Sequence, residues 1–321
     1  MNTLPTKTVS YAAEGISHLQ LHTWAGDIEI VGHEDDSIKV EVYLSIRSIL
    51  SLFLEREAVA EFDPEIYELH IEQIDSTLKI TAKPNYFHPY SWFNFPQMAF
   101  RVYLPAAIHS NAKTFGGKIS LRNAKGTHVF STWGGNLLLT DTRGDLKGKT
   151  MGGKVEVIKC AGKVTVKTMG GNLFLSDNQG EITASTMGGN VSVLQHKGQL
   201  HATTWGGNIN ANDVYGGFEC TTAGGNIRLH NMNGNIGAST KGGNISAHVL
   251  TIDQYAWFDT AGGKVNAALP LDKGLDLEVS ANRIYHPPFQ SFEGYATRRS
   301  IRGESSTEEA PILRLKQRVD V

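Results

Sequence analysis

TFGGKISL at 114–121, TWGGNLLL at 132–139, TMGGKVEV at 150–157 and TMGGNLFL at 168–175 are four copies of one phrase. The chain goes on repeating it, with TMGGNVSV from Thr186, TWGGNINA from Thr204, TAGGNIRL from Thr222, TKGGNISA from Thr240 and TAGGKVNA from Thr260. The first eight copies follow one another at a constant 18-residue step, and the ninth comes after a 20-residue one. A shorter period lies inside. Glycine returns every ninth residue, from Gly117, Gly126, Gly135 and Gly144 through to Gly234 and Gly243. Two places after each glycine stands a large apolar residue, as in Ile119, Leu137, Leu146, Val155, Val164 and Leu173, with His128 the one exception. Two places further runs a second apolar column, including Leu121, Phe130, Leu139, Val157, Val166 and Leu175.

Apolar residues alternating with polar ones have the period of a strand rather than a helix. A strand with one apolar face gains too little by itself. Stacking successive coils buries that face continuously and pairs each backbone with the coils on either side. The pattern therefore predicts an all-β fold, a parallel β-solenoid (β-helix) with 18-residue coils, each made of two 9-residue half-coils. Glycine at each bend is expected to supply a positive φ. A three-sided hexapeptide helix would place its apolar positions at multiples of six, whereas these fall at multiples of nine, so two flattened sheets are expected.

A stack needs ends, because an open edge is a template for aggregation. Residues 1–111 read as an N-terminal cap. TWAGDIEIV from Thr23 is a degenerate repeat unit, SIKVEVYLS from Ser37 alternates as a strand, and ILSLFLEREAVAEF from Ile49 reads as one short helix. YELHIEQ, TLKITAK and FRVYLP alternate again. Residues 112–268 form the repeat ladder and 269–321 a C-terminal cap. In that cap ALPLDKGLDLEVSA and APILRLKQRVDV read as closing strands, flanking an irregular loop from Asn282.

Composition narrows the function. The chain has 321 residues, 30 Lys+Arg against 32 Asp+Glu, and a net charge of −2, which gives no overall basic bias for a nucleic-acid partner. No apolar run approaches the ~20 residues of a membrane-spanning helix. Cys160 and Cys220 are too few for a disulfide framework or a cysteine-based zinc site. No apolar segment follows Lys7, so no secretory signal is visible and a cytoplasmic location is expected, with the cell surface or secretion as the alternative.

The order of these features carries a resemblance. Short strands and a small helix lead to VYLP at Val102 to Pro105, then the TxGG ladder, then Leu269, Pro270, Gly274 and Leu277. This resembles the bacterial β-strand-repeat family of unknown function described as "putative adhesin". The resemblance implies a β-solenoid fold and carries over no catalytic residue. The family's repeat reads TSGGS; here Phe, Trp, Met, Ala or Lys takes the second position, and Asn or Lys follows the glycines.

Three chemistries have sequence requirements that can be compared with this pattern. Calcium-binding glycine repeats need an aspartate in each turn; the corresponding positions here hold Asn136, Asn172, Asn190, Asn208, Asn226 and Asn244, with Lys118, Lys154 and Lys264. Neutral amides and ammonium groups do not supply the charge of a Ca²⁺ site, so a hydrogen-bonded asparagine ladder is expected and no metal or cofactor. Polysaccharide cleavage needs paired carboxylates. Glu156, Glu181 and Glu219 occupy non-matching positions, and Asp141, Asp177 and Asp213 recur only every second coil, as solvated turn acids would. The histidines do not cluster; His128 takes a core column and reads as a satisfied interior residue.

One feature is left over. If Thr132, Thr150, Thr168, Thr186 and Thr204 face inward, the residue after each faces outward. Phe115, Trp133, Met151, Met169, Met187 and Trp205 would then form one apolar row, with Leu138 and Phe174 in the neighbouring outward column. A row of aromatics and Met exceeds scattered surface residues and suggests an interface, although such side chains can also simply cover a bare Gly-Gly backbone. The expected function is a non-enzymatic binding or scaffold protein, adhesin-like, presenting this row to a protein or glycan partner, with Trp133 and Trp205 as anchors and a monomeric state favoured. A β-helix polysaccharide enzyme and a self-assembling structural protein are the alternatives.

Overall fold

The computed structural model describes residues 4–48, 67–85, 94–270, 275–286, 292–304 and 312–317. These are all strand, turn and irregular backbone, with no helix among them. The short helix expected over 49–62 lies outside the described residues. The chain forms two compact units, Met1–Thr168 and Met169–Val321.

In the first unit the repeats stack as predicted. Lys125–Thr132 pairs in parallel with His109–Thr114 on one side and Arg143–Lys149 on the other, and Leu137–Thr140 pairs with Ile119–Arg122 and Val155–Ile158. Every partner in these ladders lies one 18-residue repeat away, as in Leu137↔Ile119 and Leu146↔Val164. Both apolar columns are buried, from Ile119, Leu121 and Phe130 to Val164 and Val166.

The parallel stack reaches further back than the TxGG phrase. His18–Thr23 lies between His109–Thr114 and Thr77–Pro84, and Ile28–His33 lies between Ile119–Arg122 and Asn94–Pro105. The coil at 18–33 is therefore inserted, out of chain order, between the coil at 77–105 and the one at 109–122. Antiparallel strands finish this end. Ser37–Ser48 pairs with both Lys7–Ala12 and Asn94–Pro105, and Tyr67–Ile74 pairs with Thr77–Pro84.

The second unit repeats the logic with longer strands. Leu173–Ser185, Val191–Thr204, Ile209–Thr222 and Ile227–Thr240 run in parallel, each one 18-residue repeat from the next. At the far end Ile312–Gln317 is paired in parallel between Tyr255–Thr260 and Asp276–Ser280. The region expected to be irregular contains two strands, Glu293–Ala296 and Ser300–Glu304, which pair antiparallel with one another; the latter also pairs with Asp276–Ser280. Alternation there is too short to read from the sequence.

The glycines divide their work differently from the expectation. The second glycine of each GG pair needs no positive φ. A Cβ on Gly135 would stand 1.8 Å from the carbonyl oxygen of Gly117 in the neighbouring coil, so only a bare Cα lets the rungs close. Positive φ belongs to the other glycine of the coil, represented by Gly144 at φ 131°. The opposite corner is turned by non-glycine residues in left-handed conformation, namely Asn123, Asp141 and Lys159 in the first unit and Asp177, Gln195, Asp213 and Asn231 in the second. Asn and Asp tolerate that region best among residues with a Cβ. This assigns Asp141, Asp177 and Asp213 a turn-forming role.

Candidate binding surface

The TxGG corner is built from two interlocked hydrogen-bond ladders. Thr132 is buried, and its Oγ1 donates to the carbonyl of Gly117 (2.8 Å) while accepting from the amide of Gly135 (3.2 Å). Thr150 does the same with Gly135 and Gly153, and in the second unit Thr204 does so with Gly189 and Gly207. On the solvent side the asparagines form the expected ladder. Oδ1 of Asn190 accepts from the amide of Asn208 (2.7 Å), Asn208 from Asn226 (2.8 Å) and Asn226 from Asn244 (2.8 Å). In the first unit Asn136 accepts from Lys154, and Asp27 from Lys118. With each Oδ1 engaged by the next coil, these residues serve as clamps on the corner. Among the described residues no group of three or more His, Cys, Asp or Glu is placed to hold a metal ion.

Because each threonine points inward, the following side chain is forced out. In the first unit Phe115 and Trp133 are exposed, Trp133 at 57%, while Met151 is half-buried. The two rings stack with centroids 4.8 Å apart and planes 24° from parallel. Trp24 joins them on the far side of Phe115, at 5.2 Å and 3°. The sequence pattern does not place Trp24 in the row. Its signal is the TWAG phrase, in which Thr23 matches the repeat threonines and pairs with Thr114; the 91-residue step from Thr23 to Thr114 hides it from an 18-residue period. In the second unit Met169, Met187 and Trp205 are exposed, Trp205 at 66%. The neighbouring outward residues Leu138 and Phe174 are half-buried.

The spacing of the aromatic stack is set by the backbone. The amide of Phe115 donates to the carbonyl of Trp24, and that of Trp133 to the carbonyl of Phe115, so the rings inherit the distance between rungs. Stacked this way, Phe115 has both faces covered by its neighbours and offers its edge outward. The row in the first unit is thus a stacked aromatic ridge held on a closed ladder.

The acidic groups are engaged elsewhere. Glu29 is held by Arg101 (2.8 Å) and Arg122 (2.7 Å), Glu41 by Lys39 and the hydroxyl of Tyr43, and Glu156 by Lys154. Glu219 accepts from the Tyr255 hydroxyl at 3.3 Å and faces Nδ1 of His201 at 3.4 Å. In the second unit Asp213 accepts from Nδ2 of Asn231. His128 is fully buried, with Nδ1 at 2.7 Å from Oγ of Ser110, and burial pushes its pKa down to about 4. Burial also raises Cys160 to about 11 and Cys220 further still, which leaves both thiols protonated and unreactive. No helix among the described residues is long and apolar enough to cross a membrane.

No family model matches the chain, and no curated protein matches it. Solved structures do resemble it. A putative lipid binding protein from Parabacteroides distasonis aligns at 15% identity over 84% of this chain and 98% of its own, with a TM-score of 0.42. A putative adhesin from Bacteroides fragilis aligns at 13% identity over 82% and 96%, with a TM-score of 0.34. A putative cell adhesion protein from Clostridium sporogenes aligns at 11% identity over 98% and 95%, with a TM-score of 0.21.

Proposed function

We propose that this chain is a non-enzymatic binding protein whose corner row contacts an apolar patch on a protein partner. The observation that carries the reading is the exposed ridge of Trp24, Phe115 and Trp133, with Met169, Met187 and Trp205 exposed at the equivalent corner of the second unit. Aromatic residues and Met are enriched where proteins meet. Each of these side chains stands on a backbone already closed by the threonine and asparagine ladders, so the backbone has little conformational freedom left to lose on binding. A protein partner suits the first unit better than a glycan, because stacking covers both faces of Phe115 and one face each of Trp24 and Trp133, leaving more edge than face to pack against aliphatic groups.

The test is photo-cross-linking in cells that express the chain natively. Benzoylphenylalanine at position 133 or 205 should give one discrete adduct that is absent when the probe replaces Thr165, an outward residue away from the corner. With that partner purified, Trp133→Ser should weaken binding tenfold or more, the usual cost of truncating an interface anchor. Identical adducts from all three positions, or binding unchanged by Trp133→Ser, would defeat the proposal. Fractionating the same cells distinguishes a cytoplasmic scaffold from a surface adhesin.

A further inference from the structure

A second feature of the second unit lies away from the corner row, on the outward face of the strand segments that follow each GGN or GGK turn. One outward column there contains Phe174, Asn210 and Arg228, and the next contains Leu194, Asn212 and His230. Between the columns is an open cavity of ≈ 640 Å³ lined by these six residues, among others. Its two ends differ. Phe174 is half-buried and Leu194 is exposed, so one end is apolar. Three rungs on from Phe174, roughly 14 Å away at the usual strand spacing, Arg228 and His230 are exposed.

The nearest acid in sequence, Asp213 beside Asn212, accepts from Nδ2 of Asn231. The segments 173–176, 191–194, 209–212, 227–230 and 245–248 contain no Asp or Glu. Arg228 has no carboxylate partner among the described residues. Its neighbours in register are Asn210 and Ser246, both neutral. A guanidinium with no carboxylate partner among the described residues, flanked by amides and hydroxyls, is suited to a carboxylate within a polyhydroxylated molecule.

We propose that this groove binds a uronate-bearing oligosaccharide. The carboxylate sits on Arg228, ring hydroxyls meet the amides of Asn210 and Asn212, and an apolar sugar face rests against Phe174 and Leu194. An acidic peptide fits less well. An extended peptide brings its own backbone donors and acceptors, and the solenoid backbone beneath is already paired on both sides, so only the few side chains could satisfy them. An acyl chain fits less well again, since two apolar side chains bury too little of it. The groove does not rest on the corner row, and the two sites can fail separately.

The experiment is calorimetric titration of the full chain with trigalacturonate, with its carboxyl-reduced neutral counterpart and with tetraglutamate. Saturable binding of trigalacturonate is expected, at least tenfold weaker for the reduced sugar and for tetraglutamate. Arg228→Gln should cost tenfold or more without moving the melting curve, because Arg228 is exposed and pairs with no carboxylate among the described residues. Asn210→Ala/Asn212→Ala should weaken binding as well, whereas Trp133→Ser/Trp205→Ser should leave it intact. The proposal is overturned by absence of saturable trigalacturonate binding into the millimolar range, by equal affinity for tetraglutamate, by indifference to Arg228→Gln, or by loss of binding in the double tryptophan variant. Intact uronate binding together with failure of the cross-linking at 133 and 205 would remove the protein-partner reading and leave this one standing.

Discussion

Gly134 and Gly135 are adjacent in the sequence and chemically identical, yet the fold asks opposite things of them. A Cβ on Gly134 would meet nothing within 4 Å, and the backbone there has no positive φ. Gly134→Ala should therefore be neutral or stabilise the protein by about 0.4–1 kcal/mol, by restricting the unfolded chain. A Cβ on Gly135 would lie 1.8 Å from the Gly117 oxygen, 2.3 Å from its carbonyl carbon and 2.7 Å from the Lys118 nitrogen, against the 3.0 Å below which real Cβ contacts essentially do not occur. All three atoms are backbone, so the rungs must part by more than an ångström. That displacement breaks the bond from Thr132 Oγ1 to the Gly117 carbonyl and strains the one from the Ile119 amide to the Asn136 carbonyl. Two compromised buried hydrogen bonds together with the strain amount to about 3–5 kcal/mol. Native-state hydrogen exchange reads this locally. The Ile119 amide should exchange about a hundredfold faster or more in Gly135→Ala, and no faster in Gly134→Ala. Equal exchange in the two variants would refute the close-approach argument.

Two further outcomes follow from buried polar groups. His128 has a folded pKa of about 4 against an ordinary value of 6.5, because burial disfavours its cation. Its neutral form is thus favoured in the folded state, and stability is full above pH 6.5 and falls as the pH drops towards 4. The size of the effect is about 3 kcal/mol at 1.4 kcal/mol per pKa unit. Urea midpoints measured between pH 7.5 and 4.5 should show less of this loss in Ser110→Ala/His128→Leu, and an unchanged pH profile would contradict the assignment. Thr222→Val keeps the shape but removes the hydroxyl that donates to the Gly207 carbonyl (2.9 Å) and accepts from the Gly225 amide (3.2 Å). Leaving both buried groups unpaired should cost about 2–4 kcal/mol in urea unfolding, and a loss below about half a kcal/mol would be within what a featureless surface site gives.

Much of this is legible because the repeat states its own register. A threonine at each 18-residue step, with apolar residues at fixed offsets, determines which side chains share a column, and the observed pairs Leu137↔Ile119 and Ile209↔Ile227 are those columns. Where chain order and spatial order part, the sequence is silent. Nothing in TWAGDIEIV says that its coil enters between those at 77–105 and 109–122, nor does ILRLKQ announce a rung between Tyr255–Thr260 and Asp276–Ser280. Such long-range pairings are selected by burial of the stack end, which leaves no local signature. The same gap hides Trp24 from the corner row. The glycine roles are exchanged for a related reason: positive φ is a property of one residue, whereas close approach depends on the neighbouring coil. The groove at Arg228 escapes a motif search because its six residues come from four coils and share no motif; its signal is the absence of acid from five successive outward segments.

Both surfaces depend on parallel rungs held in an 18-residue register, and cysteine pairs test that most directly. Val129, Lys147 and Thr165 occupy one outward column in three successive rungs of the first unit. Disulfides form across Cα separations of about 4.4–6.8 Å, which matches one strand spacing and excludes two. The native Cys160 and Cys220 are buried and stay out of the exchange. Under mild oxidation Val129→Cys/Lys147→Cys and Lys147→Cys/Thr165→Cys should cross-link, and Val129→Cys/Thr165→Cys should remain reduced. Cross-linking of the 129/165 pair, or failure of both adjacent pairs, would contradict the register and the surfaces derived from it.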